Sequence, residues 1–192
     1  MLPLRSVGAV PSTRDHALAA LRAGLPLLVF PGGDHEAFRP LWEASRVDFG
    51  GRRGFLTLAR DAGVPIVPLG IRGSHHTVPI LQRSRLLPWL TLWPRLLGLK
   101  RLPLTVLLVL QAAAVAVVAG PALGPLPTLG LVWASLHNPI AYLLPILPGR
   151  IRCAVGPPLP PEALFAPGDP DPLARAYTTV VGAVQDLVRP AG

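Results

Sequence analysis

Four ionisable side chains follow an apolar run and two glycines near the start of the chain. The stretch LLVFPGGDHEAFRP, residues 27–40, breaks at Pro31-Gly32-Gly33 and then carries Asp34, His35, Glu36 and Arg39. A carboxylate accepts a hydrogen bond from a hydroxyl, and an arginine gives charge-assisted hydrogen bonds to a phosphate. Glycines let the backbone approach a bound group closely. The pattern indicates a site for a polar ligand group, with a local salt bridge on a solvated loop as the alternative.

The apolar runs around this stretch predict alternating strands and helices. Strands are expected at Val7–Val10, Pro26–Phe30 and Val64–Ile71, and helices at PSTRDHALAALRAG and RRGFLTLARDAG. This order is typical of an α/β fold with a partial mixed or parallel sheet flanked by helices. Pro26–Phe30 is apolar throughout and is therefore expected to be a buried strand. Ligands bind outside the carboxyl ends of such strands, where the charges after Phe30 lie. RIRCAV and DPLARAYTTVVGAVQDLVR predict a last strand and a closing amphipathic helix.

Composition favours contact with a membrane. The 192 residues suit one domain, 51% of them are hydrophobic, 15% are charged, and the formal net charge is +8. A basic balance suits anionic lipid or nucleic acid. The chain has few aromatic residues and no run of five or more basic residues, so no nucleic acid partner is expected. Cys153 is the single cysteine, which excludes an internal disulfide and favours a reducing, cytoplasm-facing location.

The middle of the chain is a separate apolar segment. Residues 102–149 contain no charged side chain. Leu102–Gly120 approaches the length of a membrane span, whereas Leu126–Pro148 is interrupted by prolines. Arginines lie on both sides of the segment, so both flanks are expected on the cytoplasmic face. We expect a re-entrant hairpin or interfacial wedge that turns at GPALGPLP, within a single domain divided as 1–100, 102–149 and 150–192. The alternative is that the segment is core of the α/β domain.

Four ordered stretches resemble the glycerolipid O-acyltransferase superfamily. They are VGAVPSTR, VFPGGDHE, GRRGFLTLARDAGVPIVPLGI and LPGRIRCAVGPPLPPE. The superfamily includes lysophosphatidate and glycerol-3-phosphate acyltransferases and a diacylglycerol acyltransferase-like branch. The resemblance implies transfer of a fatty acyl group from acyl-CoA or acyl carrier protein to a glycerolipid or lysophospholipid hydroxyl. It also implies no metal and no further cofactor, with membrane lipid and the acyl thioester donor as partners.

The resemblance assigns substrate-binding roles but no catalytic residue. The substrate-binding residues that it implies are Arg14, Gly32, Gly33, Glu36 and Arg39. The superfamily's His-x-x-x-x-Asp block, whose histidine acts as general base, is missing, because no aspartate stands five residues after any of the five histidines. We expect a native start upstream of Met1 and an inactive isolated chain. A non-catalytic lipid-binding protein is the alternative, and a basic protein lying on anionic membranes is a third.

Two further groups of residues have weaker interpretations. Trp89 and Trp93, with nearby Arg83, Arg85 and Arg95, are typical of an interfacial membrane anchor, and buried core tryptophans are the alternative. Asp34, His35, Glu36, His75 and His76 have ligand-type side chains, but no metal-site spacing supports them. We therefore expect no metal site.

Overall fold

The structure is a computed structural model that describes residues 13–96, 98–145, 147–166, 168 and 170–189. The helices are α1 Arg14–Arg22, α2 Gly33–Ala37, α3 Gly54–Ala62, α4 Ser74–Thr77, α5 Leu87–Thr91, α6 Trp93–Leu96, α7 Val106–Leu123, α8 Pro125–Ser135, α9 Ile140–Leu143, α10 Pro161–Leu164 and α11 Pro172–Val188, and a 3-10 turn covers Leu41–Glu43. The strands are β1 Leu69–Arg72, β2 Ile80–Ser84, β3 Leu102–Thr105 and β4 Arg152–Val155. β1 pairs with β4, and β2 pairs with β3. The chain divides into two compact units.

The first unit comprises residues 13–33, 47–70 and 154–189. Its core forms where α11 packs on α3 and on the loop that carries Val47 and Phe49. The buried residues of α11 recur every four positions, so one face of the helix is apolar; they are Ala176, Val180, Val184 and Val188. Leu56 of α3 is completely buried against this face. The loop is fastened to α11 by the Val47 backbone N–H, which donates to Gln185 Oε1 at 2.8 Å.

Asp171 caps the N-terminus of α11, and its replacement is expected to weaken the first unit. Its Oδ1 accepts a hydrogen bond from the Ala174 backbone N–H at 2.9 Å. We expect D171A to lower the free energy of unfolding by about 1 kcal/mol, measured by urea denaturation. D171N is the matched control, because it removes the charge but keeps an oxygen acceptor. Equal losses in both variants would contradict the cap and would point to the exposed Arg53–Asp171 ion pair instead.

The second unit comprises residues 34–46 and 71–153. β2 and β3 are antiparallel, with Ile80 opposite Thr105 and Ser84 opposite Leu102. Its core residues are Leu87, Leu102, Leu108, Ala141 and Tyr142. Thr105 is buried where β3 passes into α7, and its Oγ1 accepts from the Leu108 N–H at 3.1 Å. The same hydroxyl donates to the Ala141 carbonyl, so it fixes the start of α7 to α9.

Helices α7 and α8 form an apolar helical hairpin. They pack against each other and are joined at Gly124, which has a φ of 75°. Near the open end of the hairpin, Gln111 Nε2 donates to the Ser135 carbonyl at 2.7 Å and Gln111 Oε1 accepts from Asn138 Nδ2 at 2.8 Å. α7 is long and apolar enough to cross a membrane, and almost none of it is buried in the protein. The predicted turn therefore coincides with the helix junction.

Several elements predicted from the sequence are confirmed. α1, α3 and α11 lie where helical spacing places them, and β4 lies within RIRCAV. Gly63 ends α3 in the left-handed region, with a φ of 64°.

Two predicted strands differ from the structure. Pro26–Phe30 is not a buried strand: Leu28 is 66% and Phe30 is 64% exposed, and no described residue pairs with the run. An apolar run becomes a central strand only when neighbours hydrogen-bond to it, and the strand expected at residues 7–10 lies outside the described residues. Of Val64–Ile71, only the end belongs to β1, and Ile66 forms an isolated antiparallel bridge with Leu159. Pro65 and Pro68 lack the N–H groups that an earlier start would use.

Candidate functional site

A cluster of arginines, histidines and carboxylates lies within the second unit. We call it the polar cluster; it consists of His35, Glu36, Arg39, Glu43, His75, Arg83 and Arg101. These residues come from α2, the segment after it, α4, β2 and the residue before β3. Two carboxylates face three guanidinium groups, so the cluster is rich in positive charge. Charged groups that are buried away from water need hydrogen-bond or ion-pair partners. The atoms of the cluster that lack such partners therefore indicate which ligand groups it could bind.

Arg39 is buried, with 5% of its surface exposed. Its Nη1 lies 3.6 Å from Glu36 Oε1, which is an ion pair but too long for a hydrogen bond. Among the residues that the structure describes, none hydrogen-bonds to its Nε or Nη1. Burial lowers the pKa of Arg39, and the carboxylate of Glu36 opposes that shift. Buried donors without partners are rare in folded proteins, and a bound ligand or water is the usual explanation.

His35 receives hydrogen bonds from two arginines. Its Nδ1 lies 3.2 Å from Arg83 Nη1 and 3.0 Å from Arg101 Nη1. Because a guanidinium only donates, Nδ1 must be the acceptor in both bonds. Arg83 also donates through Nη2 to Glu43 Oε2 at 2.8 Å. Its buried Nε has no partner within the described part of the chain.

His75 is held neutral by its surroundings. Burial lowers the pKa of His75, the charges of Arg39 and His76 lower it further, and a hydrogen bond to the backbone of Glu36 partly opposes the shift. The buried Nε2 accepts no hydrogen bond from any described residue. A neutral imidazole carries either a donor or an acceptor at Nε2, depending on its tautomer.

The neutral state of His75 makes the protein sensitive to acid. The folded-state pKa of His75 lies below the unfolded value, which is about 6.5. The stability that comes from this difference is present above pH 6.5 and is lost as the pH falls through the folded-state pKa. We expect the free energy of unfolding to fall between pH 7.5 and pH 5, and to fall less in H75Q. Identical pH profiles for the wild type and H75Q in chemical denaturation would contradict the assignment.

The unpartnered atoms of the polar cluster have complementary chemistry. Arg39 offers N–H donors at Nε and Nη1, Arg83 offers one at Nε, and His75 has a buried Nε2 without a described partner. A ligand that satisfies all of them carries an oxygen-rich, preferably anionic, group and a hydroxyl. A phosphorylated or otherwise ionised alcohol has both.

The five substrate-binding residues predicted from the sequence fall in both units. Glu36 and Arg39 lie together in the second unit as the ion pair described above. Arg14, Gly32 and Gly33 belong to the first unit. For all five residues, a role in substrate binding remains a prediction from the sequence.

In the first unit, Arg14, Gly32 and Gly33 each contact a charged side chain or its hydrogen-bond partner. Arg14 is exposed and donates to the carboxylate of Asp61, and this hydrogen bond lowers the pKa of Asp61. Arg52 donates through Nη1 to the Gly32 carbonyl. A Cβ on Gly33 would lie 2.9 Å from Arg52 Nη1, and Gly33 has a φ of 48°, so both contact and backbone favour glycine there.

Sequence reasoning missed most of the polar cluster. Arg83 was expected at a membrane interface, but it is only partly exposed and binds Glu43 and His35, because β2 directs it to α2 and the turn that follows. His75, Arg83 and Arg101 lie 36 to 66 residues from His35 or Arg39 in the chain, as the printed sequence shows. No spacing rule connects such positions, since the tertiary placement of α4, β2 and the start of β3 brings them to α2.

The segment around Trp89, next to the hairpin of α7 and α8, is partly exposed. Trp89 is 59% exposed, and the guanidinium of Arg95 stacks 3.5 Å from its ring centroid. The Trp133 indole N–H of α8 donates to the Leu90 carbonyl at 2.9 Å, which ties this region to the hairpin. Leu86 and Leu96 are also exposed. Exposed apolar patches of this kind mark contact with a membrane or a partner.

Comparison with known proteins points to lipid synthesis. Part of the chain resembles enzymes named for making storage lipids. The proteins of Mus musculus and Homo sapiens called "DGAT1/2-independent enzyme synthesizing storage lipids" are 35% and 36% identical to it over 77 residues, or 40% of this chain. The Bos taurus protein of that name is 33% identical over 82 residues, or 43% of this chain. The matches cover 23% to 24% of those proteins, so the chain spans about a quarter of the length of these relatives. No family model and no solved structure matches the chain.

Proposed function

We propose that this protein is a membrane-associated acyltransferase that moves a fatty acyl group from an acyl thioester to a hydroxyl of a glycerolipid or lysophospholipid. The observation that carries the proposal is Arg39, a buried guanidinium with two unpartnered nitrogens beside Glu36. The resemblance to acyltransferase blocks and the partial similarity to lipid-synthesising enzymes support it. The α/β fold class belongs to the same proposal.

The polar cluster would hold the head of the acceptor alcohol. Arg39 and Arg83 would donate to the phosphate or ester oxygens of the acceptor, and the carboxylate of Glu36 would orient a hydroxyl. Arg14, Gly32 and Gly33 are proposed as further substrate contacts on the strength of the sequence resemblance. The acyl donor would be acyl-CoA or acyl carrier protein, with no cofactor beyond that thioester.

The apolar hairpin of α7 and α8 would place the enzyme on its substrate. The 18 residues of α7 correspond to about 27 Å of helix at 1.5 Å per residue, close to the thickness of a bilayer core. α8 has 11 residues and is shorter. We therefore propose that the hairpin enters the membrane from the cytoplasmic face and returns to it, with Trp89 near the headgroups.

The reaction would be a direct attack on the thioester. The acceptor oxygen would attack the carbonyl carbon, a tetrahedral oxyanion would form, and the thiolate would leave. The protein would contribute positioning of the acceptor and neutralisation of its charge. Such a reaction also needs a group that takes the proton of the hydroxyl.

Product analysis tests the proposed function. The native protein, purified from its own cells, would be placed in phosphatidylcholine vesicles with isotope-labelled oleoyl-CoA and with lysophosphatidate, glycerol 3-phosphate or monoacylglycerol as acceptor. We expect a labelled ester with at least one acceptor, identified by mass spectrometry. Absence of a labelled ester from every acceptor would contradict the proposal.

A non-catalytic lipid-binding protein is the second candidate. The missing His-x-x-x-x-Asp block favours it, because a chain without a base would keep only the acceptor site. Retention of lysophosphatidate by the protein without formation of any labelled ester would support this second function over the first.

A further inference from the structure

The positive charge of this protein comes from one part of the chain. Residues 62–161 contain eight basic side chains and no aspartate or glutamate, whereas the remaining residues contain ten basic and ten acidic ones. This segment therefore accounts for the whole formal net charge of +8. Most of it, residues 71–153, belongs to the second unit, which also contains the apolar hairpin of α7 and α8. A surface of one sign of charge favours a partner of the opposite sign.

Helices α5 and α6 present an apolar surface next to that hairpin. We call it the leucine–tryptophan patch, and its exposed members are Leu86, Trp89, Leu90, Leu92 and Leu96. On one side Ser84 Oγ, at the end of β2, accepts a hydrogen bond from the Leu87 N–H at 3.1 Å. On the other side the Leu90 carbonyl accepts from the Trp133 indole of α8 at 2.9 Å. The patch is therefore held between β2 and the hairpin.

Trp133 places the patch at the open end of the hairpin. It lies two residues before Ser135, whose carbonyl accepts from Gln111 at that end, whereas the tip of the hairpin is at Gly124. A hairpin that enters a membrane from one face leaves its open end among the headgroups of that face. The patch then lies at the depth of the lipid phosphates, where tryptophan is enriched in membrane proteins.

The backbone holds one apolar side chain of the patch in solvent at a conformational cost. Leu92 has a φ of 58° and a ψ of −45°, and no other residue except glycine has a positive φ in the described part of the chain. A side chain with a Cβ is disfavoured in this region. Leu92 is nevertheless 59% exposed, so packing inside the protein does not compensate for the strain. Contact with lipid hydrocarbon would compensate for it.

Three exposed cations lie beside the patch without a carboxylate partner. We call them the edge cations, and they are Arg85, Arg95 and Lys100. No described carboxylate forms an ion pair with any of them. The guanidinium of Arg95 stacks on Trp89, which uses its flat face and leaves its N–H donors for an anion. Lys100 follows Leu99, whose N–H donates to the Pro94 carbonyl of α6 at 2.9 Å, so this cation also lies near α6.

We propose that α5 and α6 form a binding site for anionic phospholipid. The leucine–tryptophan patch would enter the upper part of the hydrocarbon, and the edge cations would donate to headgroup phosphates and carry the preference for lipids with a net negative charge. A second copy of the chain is a poor occupant, because its own patch carries the same sign of charge. The inference extends the proposed membrane association and does not depend on acyl transfer.

Vesicle flotation at two lipid compositions tests the site. The protein would be mixed with vesicles of phosphatidylcholine, alone or with about 30% phosphatidylglycerol, at about 0.1 M salt. Each basic side chain near an anionic surface strengthens binding about fivefold, so the three edge cations predict a partition coefficient about 100-fold higher on the anionic vesicles. At about 1 M salt, where surface charges are screened, we expect the two partition coefficients to agree within about threefold.

Two triple variants with the same loss of charge show where the preference resides. R85Q/R95Q/K100Q removes the edge cations, and R22Q/R60Q/R189Q removes three exposed arginines of the first unit. We expect the first variant to bind phosphatidylcholine vesicles like the wild type and to lose the preference for anionic vesicles to within about threefold. We expect the second variant to keep the preference of about 100-fold. Thermal unfolding reports whether both variants keep the fold.

Two results of these measurements would overturn the inference directly. One is equal binding of the wild type to both kinds of vesicle at low salt. The other is equal loss of the preference in both triple variants, because the attraction would then come from the net charge alone. Binding of an RNA oligonucleotide that R85Q/R95Q/K100Q loses, without a preference for anionic vesicles, would assign the edge cations to nucleic acid instead. Absence of acyl transfer would contradict the proposed function alone, since flotation needs no acyl donor or acceptor.

Discussion

Replacing Arg39 with methionine is expected to reduce the rate of acyl transfer about 100-fold without unfolding the protein. The loss corresponds to about 2.7 kcal/mol, within the range for hydrogen bonds to a charged group. Arg39 is the most deeply buried charge of the polar cluster, and its free nitrogens have no competing partner among the described residues. Initial rates with lysophosphatidate as acceptor measure the effect.

The stability of the same variant separates ligand binding from a structural role. A buried guanidinium with unsatisfied nitrogens costs free energy, so methionine of similar length is expected to leave the unfolding temperature unchanged or to raise it. Glu36, whose side chain is 24% exposed, would be hydrated after the change. R22M is the matched control, because Arg22 is exposed at the end of α1. Parallel losses of activity and stability in R39M would contradict a ligand-binding role.

Placing a charge on α7 is expected to remove the protein from membranes. Val117 is 73% exposed and lies near the middle of α7. An arginine at the centre of a membrane-inserted helix costs about 2.5–3.5 kcal/mol, so V117R is expected to lower the vesicle partition coefficient about 50- to 300-fold. Flotation with phosphatidylcholine vesicles measures the partition.

A matched valine controls for the added charge. Val155 is 68% exposed but lies on β4, outside the hairpin, so V155R adds the same charge without entering the bilayer. We expect V155R to bind vesicles like the wild type at both 0.1 M and 1 M salt, where surface attraction is screened. Equal binding by V117R and V155R would contradict insertion, and loss of wild-type binding in high salt would indicate simple adsorption.

Three helices of this protein, α1, α3 and α11, could be predicted from local sequence. Gly63 marks the end of α3, and the four-residue spacing of apolar side chains in α11 predicts its buried face. These signals depend on residues within one or two turns of each other. The extended segments were less predictable, because a strand depends on a distant partner: β2 and β3 were not foreseen, and Pro26–Phe30 is exposed.

The candidate site was predictable only in part, for the same reason. Glu36 and Arg39 are three residues apart, so an ion pair between them could be predicted from the sequence. His75 and Arg83 reach them through α4 and β2, whose placement depends on the tertiary fold.

The central claim is that the polar cluster holds the head of an acceptor alcohol, and equilibrium binding of glycerol 3-phosphate tests it most directly. This probe is soluble and carries both a hydroxyl and an anionic group, so calorimetric titration needs neither a membrane nor an acyl donor. The account predicts saturable binding to the wild type and to R22M, and binding about 100-fold weaker to R39M. Equal binding to R39M and the wild type, or no binding to the wild type, would contradict the account.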